Sequence, residues 1–173
     1  MTSPWEGIDV MAIDPAVRAL HCAWFTSGIL TRAKSIRVTD EKLLVSKDLF
    51  DVGHSLASIV CLEFGRPHWL IIEGQRYRQF GEGNPQDIVD LAQVAGCATA
   101  IASRVRSFWP ETWKGQIEKS VHHARVTQFF ESQTTTGELD IWTKQAKNKD
   151  LRDAVALGLF GLGRVGRGAE KCS

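Results

Sequence analysis

The sequence predicts a mixed α/β domain with a five-stranded sheet flanked by helices. Three apolar stretches, residues 9–13, 19–26 and 29–38, come first, and the turn signal Ser27-Gly28 separates the last two. Helical and strand patterns then alternate along the rest of the chain. The resulting order, β-β-β-α-β-α-β-α-α, is typical of an antiparallel meander that continues into a mixed sheet.

The first helix and the fourth strand follow from periodicity and from strong stop signals. Residues 47–64 place apolar side chains at helical spacing, and Gly65-Arg66-Pro67 ends that helix. Residues 68–73 are rich in branched apolar side chains and predict a strand. Asn84-Pro85 fits an N-cap followed by proline, so a second long helix is predicted from there to about residue 105.

The C-terminal part is predicted to hold one more strand and two more helices. Residues 106–109 form the short fifth strand, and a helix follows over about 116–131. Residues 132–137 are polar and predict a loop. The last helix covers about 148–162 and ends in glycines.

Length and composition indicate one domain spanning residues 1–173, with a flexible glycine-rich tail over 163–173. No apolar run approaches the roughly 20 residues that a membrane span needs. The N-terminus lacks the features of a signal peptide, and the four cysteines lie far apart, mostly among apolar residues. We therefore expect reduced thiols, a cytoplasmic location and no membrane contact.

Charge is unevenly distributed along a chain whose net charge is only +1. From residue 144 to residue 171 there are seven basic side chains against three acidic ones. Further basic residues lie earlier in the chain: Arg76, Arg78, Arg104, Arg106, Lys114 and Lys119. The surface outside any acidic site is therefore more basic than the total charge indicates.

Four acidic residues stand at positions where their side chains can meet. Asp14 and Glu73 each end an apolar run, and Asp150 and Asp153 are i and i+3 on the last helix. Carboxylates about 4 Å apart repel by roughly 4 kcal/mol at an effective dielectric of 20, so a converged set needs protons or a cation. Oxygen ligands favour Mg²⁺ or Mn²⁺, and we expect two such ions.

Other interpretations of these acids remain open. Asp150 could cap the last helix, and Asp153 could be a favourable acid of its first turn. Asp9, which precedes the first apolar run, is a rival to Asp14. The run 161–166 matches a dinucleotide-binding fingerprint, but it follows a helix rather than a strand, so no nucleotide cofactor is expected.

Three motifs resemble those of a known family. They are Ala12-Ile13-Asp14-Pro15-Ala16, the apolar strand ending in Glu73, and Asp150-Leu151-Arg152-Asp153-Ala154. Their order and spacing are similar to those of RuvC-type Holliday junction resolvases of the ribonuclease H-like superfamily, over residues 10–165. Ala16 replaces the family's glycine, and the stretch 109–115 is closer to phage-type members.

The resemblance implies a ribonuclease H-like fold and a homodimer that cleaves branched DNA with Mg²⁺ or Mn²⁺. It implies that Asp14, Glu73, Asp150 and Asp153 are the metal ligands. Lys119 is expected to be catalytic at the scissile phosphate, and Lys114 to contact DNA nearby.

Further DNA contacts are expected from two segments. The resemblance places Tyr77 and Phe80, interleaved with Arg76 and Arg78, at the junction centre, where an aromatic ring could stack on an unpaired base or instead cover the core. Arg164 and Arg167 in the tail are interpreted as phosphate contacts or as part of a solvated end.

Two nearby features are expected to be structural. His122 and His123 are adjacent on a helix and face different directions, so we expect surface or partly buried histidines and no metal pair. Trp113 is expected to pack rather than to contact DNA.

Three functions are therefore compared. The first is a metal-dependent endonuclease for four-way or other branched DNA. The second is a non-catalytic nucleic-acid-binding module with the same fold. The third is a nuclease of the same fold that acts on flaps or RNA–DNA hybrids, since a fold does not fix a substrate.

Overall fold

The sheet of this protein has five strands in the order β3-β2-β1-β4-β5. A computed structural model describes residues 4–74, 84–115, 117–133, 136–145 and 147–165. The three N-terminal strands are antiparallel, and β4 and β5 add in parallel beside β1. The strands are β1 (Asp9–Ala16), β2 (Ala19–Thr26), β3 (Ile29–Arg37), β4 (Trp69–Glu73) and β5 (Arg104–Phe108).

Helices cover both faces of this sheet. Within the described residues they are α1 (Glu41–Val45), α2 (Leu49–Phe64), α3 (Pro85–Thr99), α4 (Pro110–Trp113), α5 (Lys119–Ser132), α6 (Thr136–Lys144) and α7 (Lys149–Gly161). No helix of the described chain is both long enough and apolar enough to span a membrane.

The mixed five-stranded sheet is confirmed, and two details of the predicted elements are corrected. The helix after Asn84 ends at Thr99 rather than near residue 105, because Arg104–Phe108 pairs with β4 as a strand. The predicted loop 132–137 is partly wrong, since α6 begins at Thr136. The buried side chain of Trp142 anchors α6 to the core. The polar sequence of the segment does not reveal this tertiary contact, so the helix was not predicted.

The short helices α1 and α4 were also not predicted. Four or five residues are too few to show helical periodicity. The side chain of Asp40 caps α1, and Pro110 opens α4 at a position where its missing N–H costs nothing.

Alternating side chains of the sheet form two separate cores. Met11 and Ile13 of β1 face α2 and α3, whereas Val10 and Ala12 face the opposite side. That opposite side is covered chiefly by α5, α6 and α7. The period of two along a strand therefore determines which helices each residue of β1 meets.

Two glycines let α7 lie close to the sheet. A Cβ added at Gly158 would stand 2.2 Å from Cε2 of Phe25, and one at Gly161 would stand 2.4 Å from Cδ1 of Ile71. Both facing side chains are buried in the core and have little room to move. Close approach of α7 therefore requires glycine at both positions.

We predict that Gly158→Ala lowers the free energy of unfolding by about 1–3 kcal/mol, as overpacking does in a filled core. Gly96→Ala is the matched control, because Gly96 is exposed on α3 and a Cβ there meets no atom within 4 Å. The control should be neutral or stabilising by up to about 1 kcal/mol, from helix propensity. Urea unfolding of both variants tests this, and equal stability of the two would contradict the close packing of α7.

Candidate active site

Asp14 and Glu73 lie on the same face of the sheet, on adjacent parallel strands. Pairing of β1 with β4 runs to Ile13 opposite Ile72, and each acid is the next residue of its strand. By alternation, both side chains share the face of Val10 and Ala12, which α7 covers. Glu73 ends β4 as predicted, whereas Asp14 lies inside β1, which continues to Ala16 through pairing with β2 alone.

α7 brings a third carboxylate to this face. Asp153 is buried, with a side chain only 3% exposed. Its partner on the same helix, Asp150, is 58% exposed and stands at the rim. Asp150 does not cap α7, because the N-cap is Asn148, whose side-chain oxygen accepts a hydrogen bond from the N–H of Leu151.

Two lysines connect the carboxylates. Nζ of Lys114 lies 3.1 Å from Oε2 of Glu73 and 3.7 Å from Oδ2 of Asp153. Nζ of Lys119 lies 2.9 Å from Oδ2 of Asp153 and 2.9 Å from Oδ1 of Asp150. The ammonium groups therefore join the acids of β4 and α7 into one charged cluster, which we call the acid cluster: Asp14, Glu73, Asp150, Asp153, Lys114 and Lys119.

Charge crowding in the acid cluster falls most heavily on Asp14. Burial raises the pKa of Asp14 well above its ordinary value, and the negative charges of Glu73 and Asp153 raise it further. The positive charges of Lys114 and Lys119 oppose this effect without cancelling it. A carboxyl in this position gains most from an additional cation.

Asp153 stays ionised although it is buried. Burial alone would raise its pKa, but hydrogen bonds from His123 and Lys119 and the nearby lysine charges lower the pKa below its ordinary value. Burial lowers the pKa of Lys119, but the hydrogen bonds that Lys119 donates to Asp153 and Asp150 raise it above its ordinary value. The hydrogen bond from Lys119 likewise lowers the pKa of Asp150.

His123 is a member of the site that the sequence analysis missed. Its Nε2 lies 2.6 Å from Oδ1 of Asp153, and its ring packs edge-on against Trp142. Surface or partly buried histidines were expected, but His122 and His123 are both buried, at 8% and 6% exposure. The available signal was spacing, because Lys119 and His123 are i and i+4 on α5 and share a face.

Trp113 is buried as expected, and it also holds an acid in place. Its Nε1 donates to Oε2 of Glu73 at 3.0 Å, the same oxygen that Lys114 contacts. His122 packs against the Trp113 ring, and burial lowers the pKa of His122 to about 4, so its imidazole is neutral at physiological pH. Each of Glu73 and Asp153 is therefore oriented by a buried aromatic side chain.

A polar network supports the rim of the site. His21 lies opposite Asp14 on β2, and its Nε2 is 3.9 Å from Oδ2 of Asp150. Its Nδ1 is 2.8 Å from Oγ of Ser35, to which the side-chain amide of Asn148 also donates. Burial lowers the pKa of His21. This network connects β2 and β3 to the start of α7.

The donors suit a hard divalent cation, but they are not assembled around one. Among the described residues, no three His, Cys, Asp or Glu side chains are arranged to hold a metal ion. Ammonium groups instead stand between the carboxylates. Oxygen donors of this kind suit Mg²⁺ or Mn²⁺. Binding a cation there requires the lysines to move aside.

Other predicted site residues lie elsewhere. Asp9 stands at the start of β1, five residues before Asp14, and its carboxylate accepts from Thr26, so it is not a rival ligand. Arg164 forms a two-point ion pair with buried Glu138 and also donates to the carbonyl of Gly28. That engagement argues against the predicted phosphate contact. The predicted contacts that fall outside the described residues are Arg76, Tyr77, Arg78, Phe80 and Arg167.

Solved structures of Holliday junction resolvases share this fold. The yeast mitochondrial Holliday junction resolvase Ydc2 aligns with a TM-score of 0.62 and 16% sequence identity, over 92% of this chain and 78% of its own. Thermus thermophilus RuvC aligns with a TM-score of 0.56 and 16% identity, over 91% and 98%. RuvC in complex with a Holliday junction substrate aligns with a TM-score of 0.53 and 14% identity, over 91% and 97%.

These structures confirm the predicted fold. No protein-family model matches the chain, and no curated protein sequence does. At identities of 14–16% the similarity is one of fold. The chain shares the mixed five-stranded fold, with flanking helices, of these solved Holliday junction resolvases, which is the fold that the resemblance implied.

Proposed function

We propose that this chain is a divalent-metal-dependent endonuclease that cleaves four-way or otherwise branched DNA. The proposal rests on one observation: the carboxylates of Asp14 from β1, Glu73 from β4 and Asp153 from α7 converge on the same face of the sheet. An ion-paired acid whose only role is stability does not need two like-charged neighbours. Such crowding is typical of sites that bind cations.

The choice of substrate is supported by the fold. RuvC, which has this fold, was solved in complex with a Holliday junction substrate. Because a fold does not determine a substrate, junction specificity is part of the proposal rather than a consequence of the similarity. Flaps and RNA–DNA hybrids are the alternative substrates of the same site.

Asp14, Glu73 and Asp153 would hold the cation, with Asp150 at the exposed edge. When bound, one or two Mg²⁺ or Mn²⁺ ions would supply activation of a water and stabilisation of the leaving oxygen in phosphodiester hydrolysis. His123 and Trp113 fix the orientation of the carboxylates of Asp153 and Glu73 through single hydrogen bonds. Orienting contacts of this kind are typically worth 10–100-fold in metal affinity.

Lys114 and Lys119 would exchange partners during substrate binding. In the structure they neutralise Glu73, Asp150 and Asp153. With a divalent cation bound by the carboxylates, the ammonium groups of Lys114 and Lys119 would be available to contact the oxygens of a phosphate. Lys119 is 38% exposed and Lys114 26%, so Lys119 is the more accessible of the two.

A homodimer fits this activity, because resolving a four-way junction takes two nicks that a two-fold axis can supply symmetrically. Large apolar side chains remain exposed on the helices remote from the acid cluster: Leu44, Val45, Phe50, Leu62 and Val89. They offer apolar area for association.

We predict that Asp14→Asn, Glu73→Gln and Asp153→Asn each reduce cleavage of a synthetic four-way junction at least about a thousandfold, or roughly 4 kcal/mol. The loss at Asp150→Asn should be smaller, because that side chain is mostly exposed. Gel assays with Mn²⁺ measure the cleavage rate. Junction binding should persist in all four variants, since only a ligand oxygen is replaced.

Asp51→Asn provides the matched control, since Asp51 is an exposed acid of α2 on the other side of the sheet. It should cleave like the wild type. Full cleavage activity of the Asp14→Asn and Glu73→Gln variants would contradict the assignment of these two acids to the active site. A panel of junctions, flaps, hybrids and plain duplex identifies the substrate, and absence of cleavage of every member would favour a non-catalytic module.

Sedimentation at micromolar concentration tests the dimer separately. We predict a species of twice the chain mass, stabilised by burial of the exposed apolar side chains. Phe50→Glu should shift it toward monomer, whereas Glu131→Lys, an exposed charge reversal on α5 on the other side of the sheet, should not. A wild-type protein that sediments only as monomer would contradict the symmetric two-nick arrangement.

A further inference from the structure

A basic cleft opens directly beside the acid cluster. It has a volume of about 480 Å³ and lies between the end of β3 and the start of α7. We call it the basic cleft; its charged lining residues are Arg37, Lys119, Lys144, Lys147, Lys149 and Asp150. Five of these side chains are cationic and one is anionic, so the lining carries a strong positive excess.

Among the described residues, most of this positive charge is not paired with an acid. Lys119 is paired with Asp150 and Asp153. In the part of the chain that the structure describes, Arg37, Lys144, Lys147 and Lys149 form no ion pair. Four cations gathered around one cleft raise the local potential and favour an anionic ligand.

The floor of the basic cleft is held in place by Asn148. Its side-chain amide donates to Oγ of Ser35 at 2.8 Å, and its side-chain oxygen accepts from the N–H of Leu151 at 3.1 Å. Lys147 and Lys149 flank this residue, so their backbone is anchored to both β3 and α7. Long, exposed lysine side chains on an anchored backbone suit a polyanion such as a chain of phosphates. Such a ligand needs positive charge along its length rather than one fixed hydrogen-bond geometry.

The cleft and the acid cluster are continuous. Lys119 and Asp150 line the cleft, and both belong to the acid cluster. A chain of phosphates that has one member at the acid cluster would therefore continue among the lysines that line the cleft. The described residues that line the cleft carry no aromatic ring on which a base could stack.

We infer that the basic cleft binds the sugar–phosphate backbone of the DNA strand next to the cleaved position. This rests on the proposed function and adds to it the path of the substrate. Binding there is electrostatic and independent of base sequence, because most of the positive charge is on lysines, which contact phosphates. The side chain of Asn148, which also lines the cleft, is already bonded to Ser35 and Leu151. The cleft fixes where the strand lies, while other parts of the protein select branched DNA.

The test compares two charge-matched double variants. Lys144→Gln with Lys147→Gln removes two cations of the cleft, and Lys42→Gln with Lys47→Gln removes two exposed cations from the α1 region. Fluorescence anisotropy with a labelled four-way junction in EDTA measures Kd between about 50 and 250 mM KCl. EDTA separates binding from cleavage and from any metal.

We expect the cleft variant to bind about tenfold or more weakly at 100 mM salt. The slope of log Kd against log salt should fall by about 0.9 for each lost phosphate contact, and so by up to about 2. The control variant should match the wild type in both quantities. Equal Kd and slope in the two double variants would overturn the inference, as would a loss confined to RNA–DNA hybrids with junction binding unchanged.

Failure of this inference can be told apart from failure of the proposed function. A protein that cleaves junctions but binds them independently of Lys144 and Lys147 refutes the basic cleft alone. A protein that cleaves nothing, yet loses junction binding and salt slope in the cleft variant, refutes the nuclease and supports the cleft.

Discussion

Repulsion between carboxylates is the constraint on which the rest of this site depends. Burial raises the pKa of Asp14, and the nearby charges of Glu73 and Asp153 raise it further. Two carboxylates about 4 Å apart cost roughly 4 kcal/mol at an effective dielectric of 20, a large fraction of the stability of an ordinary domain. The neighbouring side chains are arranged to offset that cost. Lys114, Lys119, His123 and Trp113 each donate to a carboxylate of the cluster.

The fold keeps these charges together through the close packing of α7. Gly158 and Gly161 bring the helix against Phe25 and Ile71, and apolar residues bury most of its surface. Asp153 is therefore held against the sheet, with its carboxylate buried beside Lys114 and Lys119. A helix held farther from the sheet would leave Asp153 in water and would relieve the repulsion. The position of these acids thus follows from core packing as much as from their own chemistry.

How far the sequence predicts this protein depends on the range of the interactions involved. The five strands and the long helices follow from local periodicity, and Asp14 and Glu73 follow from register on parallel strands. The helix α6 could not be predicted, because its polar sequence is held by buried Trp142. Arg164 was misinterpreted for the same reason, since its partner Glu138 lies 26 residues away. The N-cap of α7 is Asn148, whereas Asp150 was considered as the cap, so a rule based on residue type alone can place a cap two residues away from its true position.

We propose that Asp14, Glu73 and Asp153 form one cation site and that the ammonium groups of Lys114 and Lys119 neutralise it in the absence of a metal ion. Crystals of the wild-type protein soaked in Mn²⁺ test it directly, because anomalous scattering locates the ion without reference to the protein chain. The account predicts a Mn²⁺ peak bonded to oxygens of these three carboxylates, with Nζ of Lys114 displaced from Oε2 of Glu73. Mn²⁺ found only at other sites, with Lys114 still bonded to Glu73, would contradict it.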